Sequence, residues 1–223
     1  GALPSAIPGR YFAANEQESA GACLTYLVEN LGLRGDAEAS SVYEGLDRVA
    51  ERVPAGNSGV IFTPWLNGER SPVDDHHVRS GFFNQSLDTT ADDLIRAVFE
   101  GVAFNSRWLL GYVEKFVRRP MPELRAVGGG SNSSVWCQIH ADVMDRKILQ
   151  VKDPILAGLR GVTFLAAVKL GYLGYDEIPE RVEIAASYEP DPHRREVYDR
   201  LYREYRKIYT ANRKIYARLN RVE

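Results

Sequence analysis

The chain has 223 residues, with 28 Lys plus Arg against 30 Asp plus Glu and a formal charge of −2. Its 44% hydrophobic and 26% charged residues make an ordinary globular composition, long enough to bury a core without a metal or disulfide staple. No apolar run approaches the roughly 18 residues of a membrane span, and no basic stretch followed by an apolar core opens the chain, so neither a membrane helix nor a signal peptide is expected.

Tyr11–Ala14 reads as a short strand, followed by a helix over about residues 16–30 with Ala20, Cys23, Leu24, Leu27 and Leu31 at helical spacing. A second helix is expected over about 41–53 and a buried strand over 60–62. Residues 63–79 form a long Pro-, Gly-, Asp- and His-rich loop of the kind that carries function. Thr90-Ala91-Asp92-Asp93 supplies an N-cap and an acidic first turn to the strongest helix, in which Leu94, Val98, Val102, Asn105, Leu109, Tyr112, Val113 and Phe116 keep one face until Pro120. A strand at 124–127, a Gly128-Gly129-Gly130 turn, a helix over 135–144, a strand at 148–151 and a helix over about 157–170 follow. This alternation points to an α/β or α+β architecture.

Residues 194–223 differ, with ten Lys or Arg against four acidic residues. Tyr198, Leu201, Tyr205, Ile208, Asn212, Ile215 and Leu219 alternate steps of three and four along one long helix. Three readings stand open: a terminal helix packed on the domain of residues 1–193, a self-pairing coil, and an anion-binding arm.

The glycine turn is the strongest local signal for chemistry. It leaves a strand and enters a helix, so its backbone allows close approach of a ligand, and the helix start offers free N–H groups. It is neither the G-x-G-x-x-G fingerprint nor a Walker A loop, and a purely structural turn would read the same way. Asp74-Asp75-His76-His77 lacks a third ligand at helical spacing and reads as solvated loop rather than metal site. Glu69 and Arg70 are either supports at the edge of a cleft or partners of neighbouring helices. Cys23 and Cys137 fall beside apolar residues and read as core packing; without pair or metal spacing they suggest a reducing cytoplasm. No G-x-S-x-G elbow is present, which weakens a hydrolase reading.

Taken together, Phe62-Thr63-Pro64-Trp65-Leu66-Asn67-Gly68-Glu69-Arg70-Ser71-Pro72, Arg79–Phe83, Asp93–Phe104, the Gly128–Ser133 turn and Asp153–Leu170 resemble the C-terminal domain of the FGGY carbohydrate kinases, in order and in register. The 67–72 loop looks most like the xylulose kinase branch. The resemblance implies an α/β, actin-like (RNase H-like) ATPase domain with a long C-terminal helix, the ATP-binding half of a kinase that uses ATP and Mg²⁺. It implies a nucleotide site at Gly128, Gly129 and Gly130, with Ser133 where glycerol-kinase-like members carry an adenine-facing Asn. Gly21 and Thr25 match an earlier helix where those members carry Gly and Gln, and Asn84 replaces a glycine of the family signature.

The same resemblance implies that the Asp-x-Gly-Thr phosphate loop, the Gly-Thr-Ser turn and the catalytic Asp lie in an N-terminal half that this sequence does not contain. The chain opens on Gly1 rather than Met, so it is expected to be processed, tagged or part of something longer. No catalytic or metal-ligating residue is assigned to it, and alone it is expected to bind nucleotide weakly and transfer nothing. The expected partners are ATP or ADP, a small sugar or polyol, the missing domain and a second copy in a homodimer, with no nucleic acid or membrane. Xylulose is favoured among the sugars. A non-catalytic assembly module built on the basic helix, and an actin-like ATPase of other purpose, are the alternatives.

Overall fold

The computed structural model describes residues 1–221; the last two residues of the basic segment, Val222 and Glu223, lie outside the described residues. A surface hairpin pairs β1 (Ala2–Pro4) with β2 (Tyr11–Ala13). Helix α1 (Gly21–Glu29) starts five residues later than the periodicity predicts, because residues 15–19 are used as a loop whose groups bond elsewhere. Helix α2 (Val42–Arg52) begins where Ser41 Oγ accepts the Glu44 N–H. Strands β3 (Ile61–Thr63) and β4 (Gly81–Phe83) pair antiparallel and bracket the long loop. Helix α3 (Ala91–Val117) opens with a reciprocal capping box between Thr90 and Asp93.

Strand β5 (Glu123–Ala126), helix α4 (Ser134–Met144) and strand β6 (Lys147–Val151) form a parallel crossover unit. Its first connection is the glycine turn. Strand β7 (Ile184–Tyr188), which the sequence reading does not contain, adds antiparallel to β6 and makes a three-stranded sheet in the order β5-β6-β7. Helices α5 (Ala157–Lys169) and α6 (Arg195–Leu219) complete the chain.

Helix α3 is the centre of the molecule rather than a one-faced surface helix. Residues from Ile95 to Asn105 are buried all round, whereas Tyr112 and Phe116, expected on its core face, emerge into solvent. Its backbone lies directly against β3: a Cβ at Gly101 would sit 2.3 Å from the Phe62 carbonyl oxygen, so only glycine permits this approach. On the other side α6 delivers Tyr198, Leu201 and Tyr205 into the same core as Trp65, Phe99 and Phe104. The basic helix is therefore packed over its first half, and its seam runs out beyond Ile208, leaving Ile215 and Leu219 exposed.

Two polar networks cross this core. Arg96 Nε donates to Glu100 Oε1 at 2.8 Å and Arg96 Nη2 to the Tyr198 hydroxyl at 2.8 Å, while that hydroxyl donates to Glu100 Oε1 at 2.9 Å. In the second, Trp65 Nε1 and the Tyr205 hydroxyl donate to Asn105 Oδ1 at 3.2 and 2.9 Å, and Asn105 Nδ2 donates to Glu69 Oε2 at 2.8 Å. Paired ends of this kind are what allow charged and amide groups inside a core.

Candidate functional site: the cleft beside the glycine turn

The three glycines do different jobs. Gly128 has φ of +90°, a conformation that side-chain-bearing residues rarely adopt, and its N–H donates to the Pro154 carbonyl at 2.9 Å. At Gly130 a Cβ would meet the Trp136 ring at 2.9 Å, whereas Gly129 faces open space. The turn is a single 3₁₀ stretch over Gly129–Asn132, pinned when Ser131 Oγ donates to the Gly128 carbonyl at 2.8 Å. Ser133 then caps α4, its Oγ accepting the Trp136 N–H at 2.9 Å.

This turn, the start of α1 and the first half of α2 enclose a cleft of about 600 Å³. Gly21, Thr25, Gly129, Gly130 and Ser133 all line it, so five of the six sequence-derived positions converge on one cavity; Gly128 shapes the turn from behind. Gly21 and Thr25 lie on one face of α1, which starts at Ala20 without a side-chain cap. The floor is Trp136, buried, packed on Phe99 with ring centroids 5.2 Å apart and donating Nε1–H to the Phe99 carbonyl at 3.1 Å. Tyr43 and Ile155 add exposed apolar surface, and Asn132, Glu44 and Asp47 complete the polar lining.

Tyr43, Asp47, Trp136 and Ile155 carry no sequence signal for this role. They reach the cleft through tertiary packing; Ser133 and Asp47, for example, meet across 86 residues. Burial raises the Asp47 pKa, the Ser133 hydrogen bond works against that rise, and Glu51 and Glu44 add like charge.

The other candidates resolve differently. Glu69 is a buried support: Oε1 accepts the N–H groups of Glu18, Arg70 and Ser71 at 2.8, 2.9 and 3.2 Å, tying the 15–20 loop to the 63–79 loop. Burial raises its pKa against those bonds. Arg70 pairs with Glu16 at the exposed surface. Asp74 and His76 are exposed, and among the described residues no group of three or more His, Cys, Asp and Glu side chains could hold a metal. Cys23 and Cys137 are buried, their thiols pushed up to about 12 and about 11, first by burial and then by Glu69 and Asp47 respectively. Asn84 holds φ of +65°, the left-handed conformation a glycine adopts freely, and its Nδ2 donates to the Gly59 carbonyl at 3.1 Å.

Comparison with known proteins places this arrangement. The model of the FGGY family of carbohydrate kinases, C-terminal domain, matches residues 2–170. The chain belongs to this family. As an FGGY carbohydrate kinase C-terminal domain it is 28% identical over 218 residues to a xylulose kinase of Staphylococcus epidermidis, an alignment covering 96% of this chain and 42% of that protein. It is 31% identical over 185 residues to a ribulokinase of Bacillus licheniformis, covering 78% of this chain and 33% of that protein. The crystal structure of xylulose kinase from Rhodospirillum rubrum superposes with a TM-score of 0.77 at 30% identity, covering 90% of this chain and 39% of that one. The FGGY domain thus has the actin-like ATPase fold, mixed α/β with a long C-terminal helix, and spans about two-fifths of the length of the xylulose kinases it matches.

Proposed function

We propose that this chain is the nucleotide-binding half of an ATP-dependent carbohydrate kinase, with residues 1–193 as the nucleotide-binding domain and the basic segment of 194–223, whose helix α6 spans Arg195–Leu219, packed on it. One observation carries the reading: two groups of positions 104 or more residues apart in sequence, Gly21 and Thr25 on α1 and Gly129, Gly130 and Ser133 at the turn, line one cleft of nucleoside size. Glycine on its rim lets a flat ring approach the backbone, Trp136 gives it a rigid apolar floor, and Tyr43 and Ile155 supply apolar walls. Among the described lining residues none is Lys or Arg, so the chemistry suits the nucleoside end of ATP rather than its phosphates.

ATP with Mg²⁺ would supply the phosphoryl group and the positive charge that neutralises it. The residues of this chain would bind and orient the nucleoside and help exclude water. The base that deprotonates the sugar hydroxyl and the phosphate loops would come from an N-terminal half, so alone this chain would transfer nothing. Helix α5 supports such a partner: none of its residues is buried, and Leu159 and Val162 are each 66% exposed. A pentulose such as xylulose is the favoured acceptor, supported by the xylulose kinases and the ribulokinase among the similar proteins. The cytoplasm is the favoured compartment.

Calorimetric titration with Mg-ADP tests the reading. The chain should bind weakly, and Gly129→Trp, which fills open space beside the turn, should abolish binding without lowering the melting temperature. Binding that survives in Gly129→Trp would remove the cleft from the proposal.

A further inference from the structure

The hydrogen-bonding capacity of the cleft is unevenly spent. Ser133 has one hydroxyl proton, and it goes to Asp47 Oδ1 at 2.7 Å while the same oxygen accepts the Trp136 N–H. Ser133, expected to face a nucleobase, therefore has no donor left for a ligand. Glu44 is committed to its own turn, with Oε2 accepting the Ser40 N–H at 3.1 Å and Oε1 the Arg48 guanidinium at 2.7 Å. Asp47 Oδ2 alone among the carboxylate oxygens lining the cleft accepts no hydrogen bond from the described residues. The Ser133 bond fixes the Asp47 side chain, so the free oxygen has a defined position between α2 and the glycine turn.

We infer that Asp47 is the selectivity residue of this cleft, its Oδ2 accepting a hydrogen bond from an N–H or O–H donor of the bound nucleoside, with Ser133 as the positioning residue that holds it. The inference rests on the cleft being the nucleotide site. Two donors share this chemistry: the exocyclic amino group of adenine and the ribose hydroxyls. A ligand donor would also relieve the like-charge crowding by Glu44 and Glu51 and return a hydrogen bond to a carboxylate drawn partly out of water. A cleft built around an acceptor rejects an analogue that lacks the matching donor more strongly than an apolar pocket rejects a missing methylene.

The test titrates the 223-residue chain and its Asp47→Asn variant with four Mg²⁺ nucleotides: ADP, 2′-deoxyADP, 3′-deoxyADP and purine riboside diphosphate, which lacks the amino group. Asn keeps an oxygen for Ser133 but turns the free acceptor into a donor. The wild type should bind ADP about tenfold or more tighter than the analogue missing the partner donor, and Asp47→Asn should lose that preference. A loss for a deoxy analogue assigns the ribose; a loss for purine riboside diphosphate assigns the base. Equal binding of all four by the wild type overturns the inference, and so does an Asp47→Asn variant that keeps the wild-type preference or weakens all four alike. A folded wild type that binds none of them overturns the nucleotide reading itself, and this inference with it.

Discussion

The seat of α6 on α3 and the surface of α5 both carry apolar side chains at helical spacing and end in opposite states. Tyr198, Leu201 and Tyr205 are buried and the two tyrosine hydroxyls paired, whereas Ile155, Leu156, Leu159, Val162 and Leu170 stand in solvent. Burial is set by what the rest of the chain supplies. The α3–α6 region finds its partners within these residues, and the α5 region does not. The first region fixes the fold; the second leaves apolar side chains exposed beside the glycine turn.

The sharpest way to break this contrast is to unbalance the packed region. Arg96→Met removes the guanidinium from between Glu100 and Tyr198 and leaves a buried carboxylate short of its counter-charge. The expected loss is about 3–5 kcal/mol, read in urea melts or as a fall of about 10 °C in melting temperature. A loss below about 1 kcal/mol would show that water reaches this site and that the core is less closed than its geometry says.

One substitution made in both regions sharpens the comparison. Gly101→Ala places a methyl 2.3 Å from the Phe62 carbonyl and should cost about 1–3 kcal/mol despite the better helix propensity of Ala. Gly129→Ala points into open space and should stay within about 0.5 kcal/mol of the wild type. Equal effects would mean that α3 and β3 separate easily enough to admit the methyl.

The smallest effect is expected on α5. The double variant Leu159→Gln, Val162→Gln removes two exposed apolar side chains and should leave the urea midpoint within the scatter of repeat measurements, about 0.5 kcal/mol. It should also lower any tendency of the chain to self-associate in sedimentation. A clear destabilisation would mean that α5 is held against the domain in solution more closely than its exposure indicates.

The periodic and punctuated parts of this molecule were legible in its residues. Thr90 and Asp93 announce the start of α3 and the strand–glycine–helix order marks the turn, whereas Gly21 and Thr25 stand out only through the family resemblance. Residues that act through tertiary contacts were not. Ile184–Tyr188 reads as no strand because its residues are small and largely exposed, so little apolar alternation marks it; its place comes from pairing with β6. The sequence periodicity carried α1 back to residue 16, yet the Glu18 N–H and the Gln17 side chain are held by Glu69, Asn105 and Ser106, from elements far along the chain. The Asp47–Ser133 bond joins two helices that no local pattern relates.

The meeting of Tyr205 with Asn105 spans 100 residues, and α6 follows every other element in chain order. During synthesis at about 5–20 residues per second, Asn105 would be made about 5–20 s, and Glu69 and Trp65 about 7–28 s, before the Tyr205 that completes their hydrogen bonds. Through that interval the flank of α3 on which Tyr198, Leu201 and Tyr205 pack lacks its cover. Until α6 emerges that flank is open to aggregation and to chaperone capture, and a synonymous slow codon upstream of residue 195 would lengthen the window without changing a single contact in the finished fold.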